Sequence, residues 1–238
     1  MKPYNEEQNK KTQVLAMFDN IAPTYDRLNH ILSMNIDRLW RRRVVRIVRG
    51  FRPKRILDVA TGTGDLAIAL ALKIRDCRIL GVDISEQMLR IAADKISERG
   101  LDERITLQAG DAEHLELSEG GLDVATVAFG VRNFENIDAG LRELHRVLKT
   151  GGHLAILEFS TPDNRFVRAV YERYSHKILP RIGQLISRDR QAYDYLPESV
   201  DEFPSPERFT EMLRAAGFRS IETHRQSFGI ARIYTAEK

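Results

Sequence analysis

The 238-residue chain has a single cysteine, Cys77, so it can close no disulfide within itself and build no cysteine-based metal cluster. No apolar run approaches the roughly 18 residues that cross a bilayer. The opening stretch MKPYNEEQNKK has no apolar core, so a secretory signal is not expected. A reducing, cytoplasmic compartment is the expectation. No Gly-x-x-x-x-Gly-Lys-Ser/Thr phosphate loop is present. None of the six histidines stands in a His-Glu-x-x-His or Cys/His metal spacing. Cys77 lies in a polar stretch and reads as an inert thiol rather than a nucleophile.

Net charge is only +3, but it is uneven. Residues 1–50 hold ten Lys/Arg against five Asp/Glu, and residues 161–190 hold seven against three. Two basic flanks suggest a face that meets anions, either lipid headgroups or nucleic acid.

Apolar segments alternate with amphipathic ones, as in a parallel α/β sheet. Strands are predicted at 55–60, 78–84, 104–109, 122–129 and 153–159, with helices at 65–75, 86–99 and 135–148. After residue 160 the alternation breaks. A helix is predicted over 165–187, interrupted by Pro180, then a proline-rich loop over 188–206 and a helix over 206–215. Two strands over 219–227 and 229–236 form a closing hairpin. The fold class is α/β, a doubly wound, Rossmann-like sheet, mostly parallel with one terminal antiparallel strand. Residues 1–50 are too few for a core of their own. They read as a helical cap over the ligand crevice of the same domain, with the core over 51–238 and an insertion at 161–205.

The richest stretch is ILDVATGTGD, residues 56–65: a strand, a Gly-rich turn and a helix start. Gly62 and Gly64, lacking Cβ, permit the tight turn and let a ligand lie on the backbone. Asp83 ends the second strand nineteen residues after Gly64, placed to accept from a ribose diol. Together these predict an adenosyl cofactor. Read as Gly-x-Gly-x-x-Ala, ending at Ala67, the turn also fits a dinucleotide. Asp65 argues against that, because it would set a negative charge beside a pyrophosphate. The ammonium of a sulfonium cofactor would instead favour Asp58 and Asp65. Asp111 and Ala112 follow the third strand, where a polar group can reach adenine and a small one leaves room for its ring. Arg132 and Asn133 follow the fourth strand at the switch region, where a fork donor and an amide can orient oxygen groups.

The chain resembles the class I S-adenosylmethionine-dependent methyltransferases. More narrowly, it resembles the C-methyltransferases of quinone biosynthesis that act on demethylmenaquinone or a polyprenyl benzoquinol. The resemblance rests on MFDNIAPTYDRLNHILS (17–33), LDVATGTGD (57–65), FGVRNF (129–134), LKTGGHLAILEFSTP (148–162) and YDYLPESVDEFP (193–204). It implies S-adenosylmethionine as cofactor, held by Gly62, Thr63, Gly64, Asp83, Asp111 and Ala112. Ala128 stands where the family often has Ser, and the tail GIARIYTAEK departs from the family pattern. The implied reaction is methylation of a hydroquinone ring carbon, most simply demethylmenaquinol to menaquinol, with ubiquinone biosynthesis as the alternative. Arg132 and Asn133 would hold or polarise the ring hydroxyl, and Tyr25 would contact substrate. His176, Tyr25 or a water held by Arg132 could serve as base. A polyprenyl substrate makes sense of the basic flanks: segment 165–187 could lie on an anionic membrane surface, peripheral at the inner membrane. Nucleic acid is not an expected partner. The Pro-Pro of adenine amino methyltransferases is absent, and Cys77 is not placed for a covalent cytosine mechanism. An NAD oxidoreductase, a nucleic-acid methyltransferase and a non-enzymatic scaffold remain alternatives. A homo-oligomer is left open.

Overall fold

The computed structural model describes residues 2–4, 9–26, 33, 35–174 and 190–238. Helix α1 (Lys10–Ile21) and α2 (Ile36–Gly50) precede the sheet. The core then runs β1 (Arg55–Val59), α3 (Asp65–Lys73), β2 (Arg78–Asp83), α4 (Glu86–Ser97), β3 (Ile105–Ala109), β4 (Leu122–Ala128), α5 (Ile137–Val147) and β5 (Leu148–Phe159). Helices α6 (Arg165–Arg173), α7 (Arg190–Asp201) and α8 (Pro206–Ala215) follow, then β6 (Arg219–Gln226) and β7 (Ala231–Glu237).

The seven strands are ordered β3-β2-β1-β4-β5-β7-β6. The first five pair in parallel, and β7 runs antiparallel to both neighbours. The antiparallel strand is thus last in the chain but second from the sheet's edge, because β7 inserts between β5 and β6.

Central strands read as near-continuous apolar runs because both faces are covered. Successive residues of β1 divide between two cores. Ile56 joins Val44 and Val48 of α2, Leu70 of α3 and Ile96 of α4. Leu57 and Val59 join Leu141 and Leu144 of α5 and Phe209 and Leu213 of α8. Side-chain caps fix where the helices start. Ser85 accepts from Met88 N, Asn136 from Ala139 N, Asn164 from Phe166 N and Ser205 from Arg208 N. Pro206 follows Ser205 at the first helical position, where its missing N–H costs nothing.

Two expectations need correction. The sequence predicts a loop over 188–206, yet Arg190–Asp201 is helical with Pro197 inside it. The prolines weigh against a helix locally, but Tyr195, Ser199 and Val200 are buried, and that burial outweighs one lost backbone bond. Strand β5 begins at Leu148 rather than residue 153, so it carries the Gly151-Gly152 stretch within it. The predicted helix beyond residue 174, including Pro180 and the candidate base His176, lies outside the described residues.

The first 50 residues also divide. Helix α2 packs into the core beside α3, through Trp40, Val44, Val45 and Val48. Among the described residues of this stretch, α1 and Tyr25, which follows the 3-10 turn Ala22–Thr24, lie at the carboxyl ends of the strands.

Candidate functional site

A cleft of about 720 Å³, its mouth included, opens at the carboxyl ends of β1 to β4, where open α/β sheets bind ligands. Its floor is Ala60, Gly62, Asp83, Gly110, Asp111, Ala112, Ala128 and Phe129. Lys11, Val14, Phe18 and Tyr25 form the roof, and Gly130, Asn133 and Phe134 one wall.

The glycine turn is held open by a carboxylate. Gly62 and Gly64 have φ of +55° and +80°, in the region that favours glycine. The Gly62 amide donates to Asp83 Oδ2 at 2.7 Å, and the Ser85 amide to Oδ1 at 2.9 Å. Burial pushes the Asp83 carboxyl above its usual range, against the pull of these amides.

Two further residues on the floor are strained. Ala60 and Phe129, just beyond β1 and β4, have φ of 51° and 60°, which non-glycine residues rarely adopt. A Cβ on Gly130 would stand 2.5 Å from that of Ala60, so the two strand ends meet only because residue 130 has no side chain. Strain of this kind persists where surrounding packing enforces it.

The roof is tied to each of the four strand-end loops. After β1, Thr63 Oγ1 donates to Asp26 of the roof, and after β2, Ser85 Oγ donates to Asp19 at 2.6 Å. Lys11 Nζ meets Asp111 after β3 at 2.6 Å. After β4, Lys10 Nζ donates to the carbonyls of Arg132 and Phe134, at 2.9 and 2.8 Å. Lys95 Nζ reinforces the first tie by reaching both Asp26 and Asp65 at 2.6 Å.

The named site residues therefore divide. Gly62, Asp83, Asp111, Ala112, Asn133 and Tyr25 line the cleft. Thr63 is buried, and its hydroxyl faces Asp26. Arg132 is also buried, off the cleft. Its guanidinium meets Glu158 Oε1 at 2.7 Å and the Phe129 carbonyl, lies 5.3 Å from the Phe159 ring, and donates from Nε to Ser199 Oγ at 3.3 Å. Glu158, fully buried, also accepts from the amides of Arg132 and Phe159. Sequence reasoning missed Glu158. Its signal was an acid inside the apolar strand HLAILEF, which implies a buried partner.

Asp58 and Asp65, the acids favoured for an ammonium, are both engaged. Lys95 holds Asp65. Asp58 is buried and accepts from Thr61 Oγ1 at 2.7 Å and Thr126 Oγ1 at 2.6 Å. Burial raises its pKa from 3.8 to about 6. Between these values the folded chain holds a proton that the unfolded chain has released, so this group's effect on stability worsens as pH rises through the window. Asp58→Asn removes that slope. Its stability relative to wild type should rise by up to about 3 kcal/mol between about pH 4 and about pH 7 in urea unfolding. A difference independent of pH would contradict the assignment.

Comparison with known proteins supplies what geometry cannot. Residues 6–238 match the model of the ubiE/COQ5 methyltransferase family. A demethylmenaquinone methyltransferase of Bacteroides fragilis is 45% identical over 100% of this chain and 97% of its own. One from Thermus thermophilus is 46% identical over 93% of this chain and 100% of its own. A ubiquinone/menaquinone biosynthesis C-methyltransferase, UbiE, of Geobacter sulfurreducens is 44% identical over 96% and 90%. Among solved structures, the cyclase SpnF superposes with a TM-score of 0.69 at 21% identity, covering 97% of this chain and 96% of its own. A SAM-dependent methyltransferase of Aquifex aeolicus gives 0.58 at 19% identity, covering 80% and 87%. These structures share the fold. The chain belongs to the ubiE/COQ5 methyltransferase family.

Proposed function

We propose that this member of the family methylates a ring carbon of a polyprenylated hydroquinone, demethylmenaquinol above all, with S-adenosylmethionine as methyl donor. Family membership supports the methyl transfer, and relatives named demethylmenaquinone methyltransferase support the naphthoquinol. The observation that carries the reading is the shared cleft, which Gly62 and Asp83 line together with Asn133 and Tyr25.

The residues present fit the donor. Gly62 leaves the backbone bare beside the Asp83 carboxylate, which can accept from a ribose diol. Val82, Ile84, Met88 and Ala112 offer an apolar slot of the kind an adenine ring needs, with Asp111 at its rim. Bound there, S-adenosylmethionine supplies an electrophilic methyl group on a sulfonium.

The chain's own residues must then orient the ring and support phenolate character in its hydroxyl, which makes the neighbouring carbon nucleophilic. Alignment of two reactants can contribute on the order of 7–11 kcal/mol. Asn133 is an amide that reaches the cleft, and Tyr25 stands on the roof in a T-shaped contact with Phe18, ring centroids 5.9 Å apart. Arg132 acts from behind the turn. Its guanidinium is pinned by Glu158, and it holds the Phe129–Phe134 turn in shape rather than grasping the substrate. The roof excludes water from the charge that develops.

The UbiE name of the Geobacter relative favours a second acceptor, the benzoquinol of ubiquinone biosynthesis. Turnover of short-chain demethylmenaquinol and of the polyprenyl benzoquinol, measured side by side, decides between them. The naphthoquinol should give the higher kcat/KM, and methylation of neither would overturn the reading.

A polyprenyl tail needs a route from lipid. No helix among the described residues is long and apolar enough to cross a membrane. The surface does expose Phe166 and Val170 on α6 and Phe228 in the β6–β7 turn, the last 82% exposed. Gly229 lies against Pro162, so the turn sits beside the start of α6, and Arg165, Arg168 and Arg225 lie near these apolar groups in sequence. Apolar side chains among arginines suit an anionic bilayer surface. The protein should float with anionic vesicles at low salt. The double variant Phe166→Ser/Phe228→Ser should lose most of that binding yet keep its turnover of a detergent-dispersed, short-chain quinol. Equal flotation of variant and wild type would remove this surface from the account.

A further inference from the structure

The segment YDYLPESVDEFP (193–204) is distinctive in sequence, yet none of its described side chains lines the cleft. Its place in the fold gives it a task. Tyr195 and Ser199 are four residues apart on α7, one turn along the same face. Both are buried, at 3% and 4% exposure. The Tyr195 hydroxyl donates to Asn133 Oδ1 at 3.3 Å, and Ser199 Oγ accepts from Arg132 Nε at 3.3 Å. One helix face therefore meets two successive residues of the FGVRNF turn, each through a polar bond.

A carboxamide can point either way, and its direction is decided by its partners. With Oδ1 turned to Tyr195, the Asn133 NH2 group is the end that donates to the Phe129 carbonyl, at 3.3 Å. The Phe129 carbonyl can only accept, so it fixes the NH2 end, and the Tyr195 hydroxyl then secures Oδ1 at the other; Asn133 lines the cleft, and its second N–H is the donor left for a hydroquinone oxygen. Tyr195 cannot drift from this contact freely, because it packs in one cluster with Val14, Met17 and Ile21 of α1 and Met88 of α4. Burial also pushes its phenol up to about 12, which keeps the hydroxyl protonated and donating.

We propose that Tyr195 is a positioning residue that sets the Asn133 amide as a donor to the substrate oxygen, while Ser199 fixes Arg132 behind it. Helix α7 is then part of the catalytic architecture. This rests on the reading that Asn133 contacts the quinol, and the test separates the two.

The test is a double-mutant cycle on the full-length protein with a short-chain demethylmenaquinol. Asn133→Ala should lower kcat about a hundredfold, and Tyr195→Phe about tenfold, with the KM for S-adenosylmethionine within about twofold of wild type. Tyr195→Phe in the Asn133→Ala background should cost nothing further. A tyrosine that merely packs would give equal losses in both backgrounds, and that additivity would overturn the proposal, as would wild-type kcat in Tyr195→Phe. Wild-type turnover in Asn133→Ala would sink the underlying reading, and the proposal with it. Melting curves check that each variant is folded. Should Tyr195→Phe fail that check, Ser199→Ala paired with Arg132→Lys runs the same cycle: non-additive losses in kcat support the proposal, and additive ones overturn it.

Discussion

Asp83→Ala is expected to weaken S-adenosylhomocysteine binding about a hundredfold or more while leaving the chain folded. The carboxylate does two things at once. It accepts from the Gly62 and Ser85 amides and so fixes the glycine turn to the end of β2. In the proposed site it also receives the ribose hydroxyls. Hydrogen bonds to a charged group contribute about 1.5–3 kcal/mol each, and 1.4 kcal/mol is about a factor of ten in affinity. Titration calorimetry measures the loss directly. Asp83→Asn keeps an acceptor but no charge, and should fall between the two. Binding within threefold of wild type in Asp83→Ala would mean that the donor sits elsewhere.

Glu158→Ala should damage the fold itself. Arg132 is 7% exposed, and Glu158 is its only charged partner within 4 Å among the described residues. Removing one member of a buried pair leaves an uncompensated charge, at a cost of about 3–5 kcal/mol. In a chain of this size each kcal/mol moves the melting temperature by about 2–4 °C, so a fall on the order of 10 °C is expected. Glu158→Ala combined with Arg132→Met should recover much of that stability, because the stranded charge is gone. Turnover should not return, since the Phe129–Phe134 turn has lost its guanidinium brace. Recovery of activity together with stability would make the pair structural only.

Much of this fold was legible in the sequence, because a covered parallel sheet writes itself as apolar runs broken by amphipathic helices. ILDVA, RILGVD and LDVATVA needed only their length and flanking turns. Asp83 was legible for a similar reason: the register of strand, turn and acid is local. What was hidden depended on contacts distant in sequence. Pro197 argued against a helix that burial of Tyr195 and Ser199 sustains. Lys10 and Lys11 read only as part of a basic flank, and Asp19 and Asp26 gave no sign of their partners, yet each ties the roof to a loop 37 to 124 residues away. Arg132 looked like a substrate clamp because its partner, Glu158, is 26 residues on, in a strand whose acid could be seen but not paired. The left-handed turn at Phe129 has no local signature at all. Beside it, Gly130 lies against Ala60 at the end of the neighbouring strand, a contact distant in sequence.

The most direct test of the whole account follows one methyl group. The protein is incubated with trideuteriomethyl-labelled S-adenosylmethionine and reduced, short-chain demethylmenaquinone, and the product is placed by mass fragmentation and proton NMR. The expected result is an intact trideuteriomethyl group on the ring carbon beside the hydroxyl, formed by wild type and lost in parallel with Asn133→Ala. Label on a ring oxygen, or no label on the quinone at all, would contradict it.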